Sequence, residues 1–148
     1  MNRKQRQFTD ELYDKGSEFH GHGGPFMVIG LRMGLIALSV LDSKGWFGIS
    51  CTATLHWSPP DSCTLDGIQI SSGCTMGKRN LMVKEGDGVS AEFHTVQGKV
   101  EIRLRPDMYS EIKSNLEDAN HKSEHDVDGL ARKIMEMEDE ELFCISKK

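Results

Sequence analysis

Phe8, Leu12 and Phe19 recur at roughly helical spacing with charges between them. That pattern predicts an amphipathic helix over about residues 4–18, with Gly16 near its end. His20-Gly21-His22-Gly23-Gly24-Pro25 is too glycine-rich for a regular element. Pro25 suits the first turn of a following helix, where its missing N–H costs nothing. From Phe26 to about Leu41 the chain is apolar nearly all round, which predicts a buried helix. Gly30 and Gly34, four apart on one side of it, leave room for a second backbone at some cost in helix propensity.

Trp46 to Leu55 is rich in aromatic and β-branched residues and reads as a strand, broken by Ser58-Pro59-Pro60-Asp61. A short helix is expected from about Pro60 through Gln69, then a loop at Ser71-Ser72-Gly73. Leu81 to Lys84 reads as a short strand and Gly86-Asp87-Gly88 as a turn. Val89 to Val96 and Lys99 to Arg105 alternate apolar and polar residues, and Gln97-Gly98 fits a tight hairpin turn between them. Pro106 opens a helix through about Leu116, and His121 to Asp128 reads as a polar connector. Val127, Leu130, Ile134 and Met137 then fall at helical spacing, and Leu142 to Ile145 reads as a closing strand. The expected class is α+β: an antiparallel sheet with packed helices, one of them the buried glycine-containing helix. With no internal repeat, residues 1–148 are expected to form one domain.

Length and composition agree with a soluble globular chain: 148 residues, 37% hydrophobic and 28% charged. The net charge of −5 gives no footprint for nucleic acid. The first residues lack the apolar segment of a secretory signal, and the stretch from Phe26 to Leu41 is interrupted by Arg32 and is shorter than the roughly 20 residues of a membrane span. A cytoplasmic location is expected, with no membrane partner. The four cysteines, Cys51, Cys63, Cys74 and Cys144, form no CxxC pair. In a reducing compartment they serve packing, metal binding or catalysis rather than disulfides.

Two stretches concentrate chemistry. Imidazoles at His20 and His22 can converge on an ion if the glycine between them bends the chain, and neutral imidazole is a common transition-metal ligand; the competing reading is two exposed loop histidines. The second stretch runs from Ser62 to Asn80 and holds Cys63, Asp66, Gln69, Cys74, Lys78 and Arg79. On a helix Cys63, Asp66 and Gly67 share a face. Cys74, in a glycine-flanked loop beside Lys78 and Arg79, is expected to have a lowered pKa. Cys51 and Cys144 sit in apolar strand-like segments and are expected in the core. The polar setting of Cys63 and Cys74 leaves both packing and chemistry open. Gly73-Cys74-Thr75-Met76-Gly77-Lys78 lacks the spacing of a phosphate-binding loop, because Arg79 follows Lys78. His56, His94, His121 and His125 have no partner motif, Tyr109 reads as packing, and the acidic run Glu136 to Glu141 as a solvated helix end.

Phe19-His20-Gly21-His22 with Pro25 and the Gly30-Leu31-Arg32-Met33-Gly34 helix resembles the opening motif of the family named for the E subunit of formylmethanofuran dehydrogenase. Cys63-Thr64-Leu65-Asp66-Gly67-Ile68-Gln69 and Gly73-Cys74-Thr75-Met76-Gly77-Lys78-Arg79-Asn80-Leu81 resemble its second motif. The resemblance covers about residues 8–105. It implies an α+β domain, a homodimer, and His and Cys side chains near a cleft. By position it marks His20, His22, Cys63 and Cys74, with Asp66, Gln69 and Lys78 in support. Three departures stand out: Gly24 where the family often has Cys before the motif proline, Arg79 in place of a usual glycine, and no C-terminal CxxC zinc ribbon, so docking through such a ribbon is not expected.

These readings give three expectations. The first is a transition-metal site, zinc by ligand softness, drawn from His20, His22, Cys63 and Cys74, with Asp66 holding a ligand histidine. The second is a metal-free thiol enzyme with Cys74 as nucleophile, a histidine as base and Lys78 as anion-binding group. The third is an accessory module that delivers a metal or pterin-type cofactor to a larger molybdenum or tungsten oxidoreductase. The apolar Gly30-to-Leu41 helix offers either a dimer contact or the core of a single protomer.

Overall fold

The computed structural model describes residues 10–120 and 124–148, so residues 4–9 of the first expected helix and His121 lie outside the described residues. The elements in order are α1 (Asp10–His20), α2 (Pro25–Leu41), β1 (Ser50–Leu55), α3 (Cys63–Ser72), β2 (Leu81–Glu85), β3 (Val89–Thr95), β4 (Gly98–Leu104), α4 (Pro106–Asn120), α5 (Glu124–Glu136), α6 (Asp139–Leu142) and β5 (Phe143–Lys147). The sheet order is β2-β1-β3-β4-β5. Its pairs are antiparallel except β1–β2, which run parallel because α3 carries the chain across between them. The class is α+β, as the alternation of helical and period-2 segments predicts.

On one sheet face Cys51, Ala53, Leu55, Ala91, Phe93, Val100 and Ile102 are buried; the alternate residues are more exposed. α2 packs on that face and is itself almost wholly buried, Met27, Val28, Ile29, Leu31 and Met33 showing no exposed surface. α3 lies directly on α2. A Cβ on Gly30 would stand 2.0 Å from the Thr64 carbonyl oxygen, and one on Gly67 would stand 2.0 Å from that of Met27. The two backbones therefore touch where glycine removes the side chains. Ser71 closes the next turn, its hydroxyl donating to the Gly67 carbonyl at 3.0 Å beside Gly34. The close approach foreseen from Gly30 and Gly34 is thus made inside one chain, by α3.

Arg32 is the charged exception in α2. Its guanidinium donates to the carbonyls of Ile134 (3.0 Å) and Met135 (3.2 Å) at the end of α5 and pairs with Asp139 at 2.7 Å. A cation on those unsatisfied carbonyls also meets the negative end of the α5 dipole. The acidic run does end α5 in solvent, with Glu136, Glu138, Glu140 and Glu141 exposed, and in addition its Asp139 partners the buried arginine and opens α6.

Other expectations shift at element ends. α1 continues through Gly16 to His20, because Gly16 fits under Met27 and Leu31 where a Cβ would stand 2.7 Å from the Met27 sulfur. β1 starts at Ser50: Trp46 (φ 67°), Gly45 and Gly48 hold the preceding residues in left-handed turns. α5 begins at Glu124, inside the expected connector. Cys144 is exposed, since it points to the open face of the edge strand. No helix among the described residues is long and apolar enough to cross a membrane.

Candidate functional site

His20 is the last residue of α1. Gly21, at φ +101°, turns the chain out of the helix, with its N–H on the Ser17 carbonyl at 2.7 Å. Gly23 then passes beneath the Tyr13 hydroxyl, which donates to the Asp128 carboxylate of α5; a Cβ on Gly23 would overlap that hydroxyl. Burial, and then the Asp128 carboxylate, push the Tyr13 phenol up to about 12, so it stays a donor at ordinary pH. This clasp holds the glycine-rich turn and brings the two imidazoles together, ring centroids 4.9 Å apart and tilted by 42°.

Each imidazole is anchored through Nδ1. His20 Nδ1 lies 2.6 Å from Asp66 Oδ2 on α3, and His22 Nδ1 lies 2.8 Å from the Gly23 carbonyl. A carbonyl only accepts, so His22 carries its proton on Nδ1, and the Asp66 carboxylate selects the same tautomer for neutral His20. Both rings are thereby left with Nε2 as the lone-pair nitrogen. They open on a pocket of about 190 Å³ whose other walls include Phe26, Pro59, Pro60, Leu116 and the thiol residue Cys63. Cys63 is the first residue of α3, where a helix start favours a thiolate. Burial and the nearby Asp66 carboxylate outweigh that effect and push the thiol up.

Zinc chemistry can be tested against these donors. Two neutral imidazoles and a thiol suit its ligand preferences, and the carboxylate on His20 is the usual support of a ligand histidine. Among the described residues, no three His, Cys, Asp or Glu side chains stand together closely enough to hold a metal ion, so Cys63 must swing towards the imidazoles to complete a site. The donor types fit, with the thiol lining the same pocket as the imidazole pair.

Cys74 is elsewhere. The roughly 14 Å length of α3 separates it from Cys63. It is fully buried, its sulfur 3.8 Å from the Ile49 carbonyl and its N–H donating to the Ser72 hydroxyl. Burial pushes its thiol up, and the opposing pull of Lys78 is too weak to lower it, which overturns the expectation of an activated thiol. Gln69 also works at this end, its side-chain oxygen accepting from the Met76 N–H at 3.1 Å. The N–H groups of Thr75, Met76, Lys78 and Arg79 are spent on Asn80, Gln69, Thr75 and Met76, so this loop does not cradle a phosphate. Arg79 sits at φ 63°, a left-handed conformation that glycine adopts without the side-chain penalty.

Sequence reasoning missed Asp61. It is wholly buried beside the Pro59-Pro60 wall, accepts from the Tyr109 hydroxyl at 2.6 Å, and has the Lys113 ammonium 3.1 Å away. Tyr109, read as packing, does pack edge-on against Phe26 and also fixes this carboxylate. The available signal was the spacing of Tyr109 and Lys113, four apart on α4.

Comparison with known proteins shows a family through its model. A family model described as "FmdE, Molybdenum formylmethanofuran dehydrogenase operon" matches residues 19–144. Over 72 residues the chain is 35% identical to a probable S-adenosyl-L-methionine-binding protein of Archaeoglobus fulgidus, a match covering 46% of this chain and 19% of that one. The chain thus spans about a fifth of that relative's length. In fold it resembles a crystal structure of an FmdE-like protein, of the tungsten formylmethanofuran dehydrogenase kind, from Syntrophus aciditrophicus, with a TM-score of 0.57 and 16% identity over 100% of this chain and 76% of the other.

Proposed function

The chain belongs to the FmdE family, and on that premise we propose that it is a metal-binding member whose ligands are His20, His22 and Cys63. The observation that supports this most is the common anchoring of both imidazoles through Nδ1, to Asp66 and to Gly23, which leaves both Nε2 atoms as donors. Zinc matches the softness of two imidazoles and a thiolate. Held by these three residues, zinc would supply Lewis-acid chemistry towards water or a small substrate. The chain's own part is to hold the two tautomers, to line the pocket with Phe26, Pro59 and Pro60, and to keep Asp66 on His20. Cys74 is left out of the ligand set because α3 holds it away from the histidines.

Elemental analysis of protein purified without an affinity tag tests the reading. Near-stoichiometric zinc or another transition metal is expected in the wild type and lost in the His20→Ala, Cys63→Ser double variant. Wild-type protein that takes up no metal on reconstitution, or a double variant with unchanged content, contradicts it.

The family description, which names an operon, favours a second reading of the same site: an accessory module that passes its metal or a pterin-type cofactor to a larger molybdenum or tungsten oxidoreductase. Stable co-purification with such an enzyme, without turnover by the chain itself, is what this reading expects.

A further inference from the structure

A second cavity, of about 520 Å³, opens at the far end of α3 between the loop before β1, the loop after α3 and the β3–β4 turn. It is independent of the histidine pocket. Phe47 and Val96 stand on its rim with 78% and 102% of their surfaces exposed, an unusual display for apolar side chains. Lys78 is its cationic member, in a chain whose net charge is −5. Lys78 holds its ammonium 5.7 Å above the centre of the Phe47 ring and 3.2 Å from the Thr75 hydroxyl. The walls are fixed rather than loose. The Asn80 amide donates to the carbonyls of Trp46 (3.0 Å) and Ile49 (3.2 Å), and its oxygen accepts from Thr75 N–H (2.8 Å), which ties the two loops together.

We propose that this cavity binds a small planar aromatic anion, its ring against Phe47 and its negative group paired with Lys78. An aromatic face, apolar surroundings and a cationic side chain on an open depression suit a small ligand that lies against the surface. A ring beside Phe47 gains the offset or edge contact that aromatic pairs favour. The ammonium lies over that ring, so the ligand's ring displaces it, and the freed Lys78 side chain pairs with the ligand's carboxylate or phosphate at the ring's edge. A neutral ring of the same shape keeps the stacking and loses the charge pairing, so recognition depends on the anion.

The test uses 2-naphthoate and its neutral isostere 2-naphthamide as probes. The full chain carries Trp57→Phe, so that Trp46, next to Phe47 in the chain, is the fluorescent reporter. Saturable quenching by 2-naphthoate is expected, roughly tenfold weaker for 2-naphthamide and for Lys78→Gln, and weaker again for Phe47→Ala. Lys78 and Phe47 are exposed, so neither substitution endangers the fold, and unchanged circular dichroism confirms it. Equal affinity for the two probes, binding unaffected by Lys78→Gln, or no saturable response up to about 10 mM overturns the proposal. So does protection of the cavity by self-association of the chain, read as quenching that disappears as protein concentration rises.

Discussion

The two ends of α3 carry the two thiols of one sequence motif and treat them in opposite ways. At the N-terminal end Cys63 is half-buried on a pocket with two imidazoles held for their Nε2 atoms. At the C-terminal end Cys74 is sealed beneath the loop that Asn80 and Gln69 stitch together. Residues eleven apart in sequence are divided by one helix whose position is set by glycine contacts with α2. What decides whether a cysteine can do chemistry here is the end of the helix it occupies, not the charges beside it in sequence.

The largest expected effect comes from disturbing the helix that separates the two ends. Gly67→Ala forces a Cβ to within 2.0 Å of the Met27 carbonyl, and a loss of about 3 kcal/mol is expected in urea unfolding. A variant with wild-type stability would mean that α3 does not lie this close to α2. The paired substitutions Cys74→Ser and Cys63→Ser come next. The buried hydroxyl is expected to cost about 1–3 kcal/mol at position 74, and the change about 1 kcal/mol or less at position 63. Equal losses would erase the contrast between the two ends.

Alkaline pH sharpens the contrast further. Burial raises the Cys51 thiol, and then its neighbour Cys74 adds to the shift; Cys74 is raised by its own burial. Below the ordinary thiol value of 9.0, folded and unfolded chains both keep these protons. Above it the unfolded chain releases them first, so stability is lost as pH rises from that value towards the raised folded ones. Urea midpoints should fall between about pH 8 and pH 10, and a flat profile would contradict the burial. The smallest effect is expected at Arg79→Gly, which relieves a left-handed side chain and should change stability by no more than about 1 kcal/mol, in the stabilising direction. A larger loss would assign the arginine an interaction of its own.

Much of the frame was legible because it follows local periodicity. The β3–β4 hairpin follows its pattern to within one residue, its turn falling at Val96-Gln97 rather than Gln97-Gly98, and the buried α2 follows its pattern nearly residue for residue. The start of β1 was not legible, since Trp46 carries a strand-former's side chain on a turn backbone. The burial of Cys74 and the exposure of Cys144 depend on which face each segment turns to the sheet, which short apolar windows do not record. Arg32 with Asp139, and Asp61 with Tyr109, join residues 107 and 48 apart. Such pairs exist only once the helices are packed. The sequence did single out His20, His22 and Asp66; what it lacked was the Nδ1 anchoring that orients both rings.

The proposed metal site takes its thiol from the Cys63 end of α3 and not from the Cys74 end. Cobalt(II) substitution reads this directly, because a thiolate ligand gives a charge-transfer band in the near ultraviolet. The band is expected in the wild type and in Cys74→Ser, and it should vanish in Cys63→Ser. A band that survives Cys63→Ser and disappears in Cys74→Ser would contradict the account.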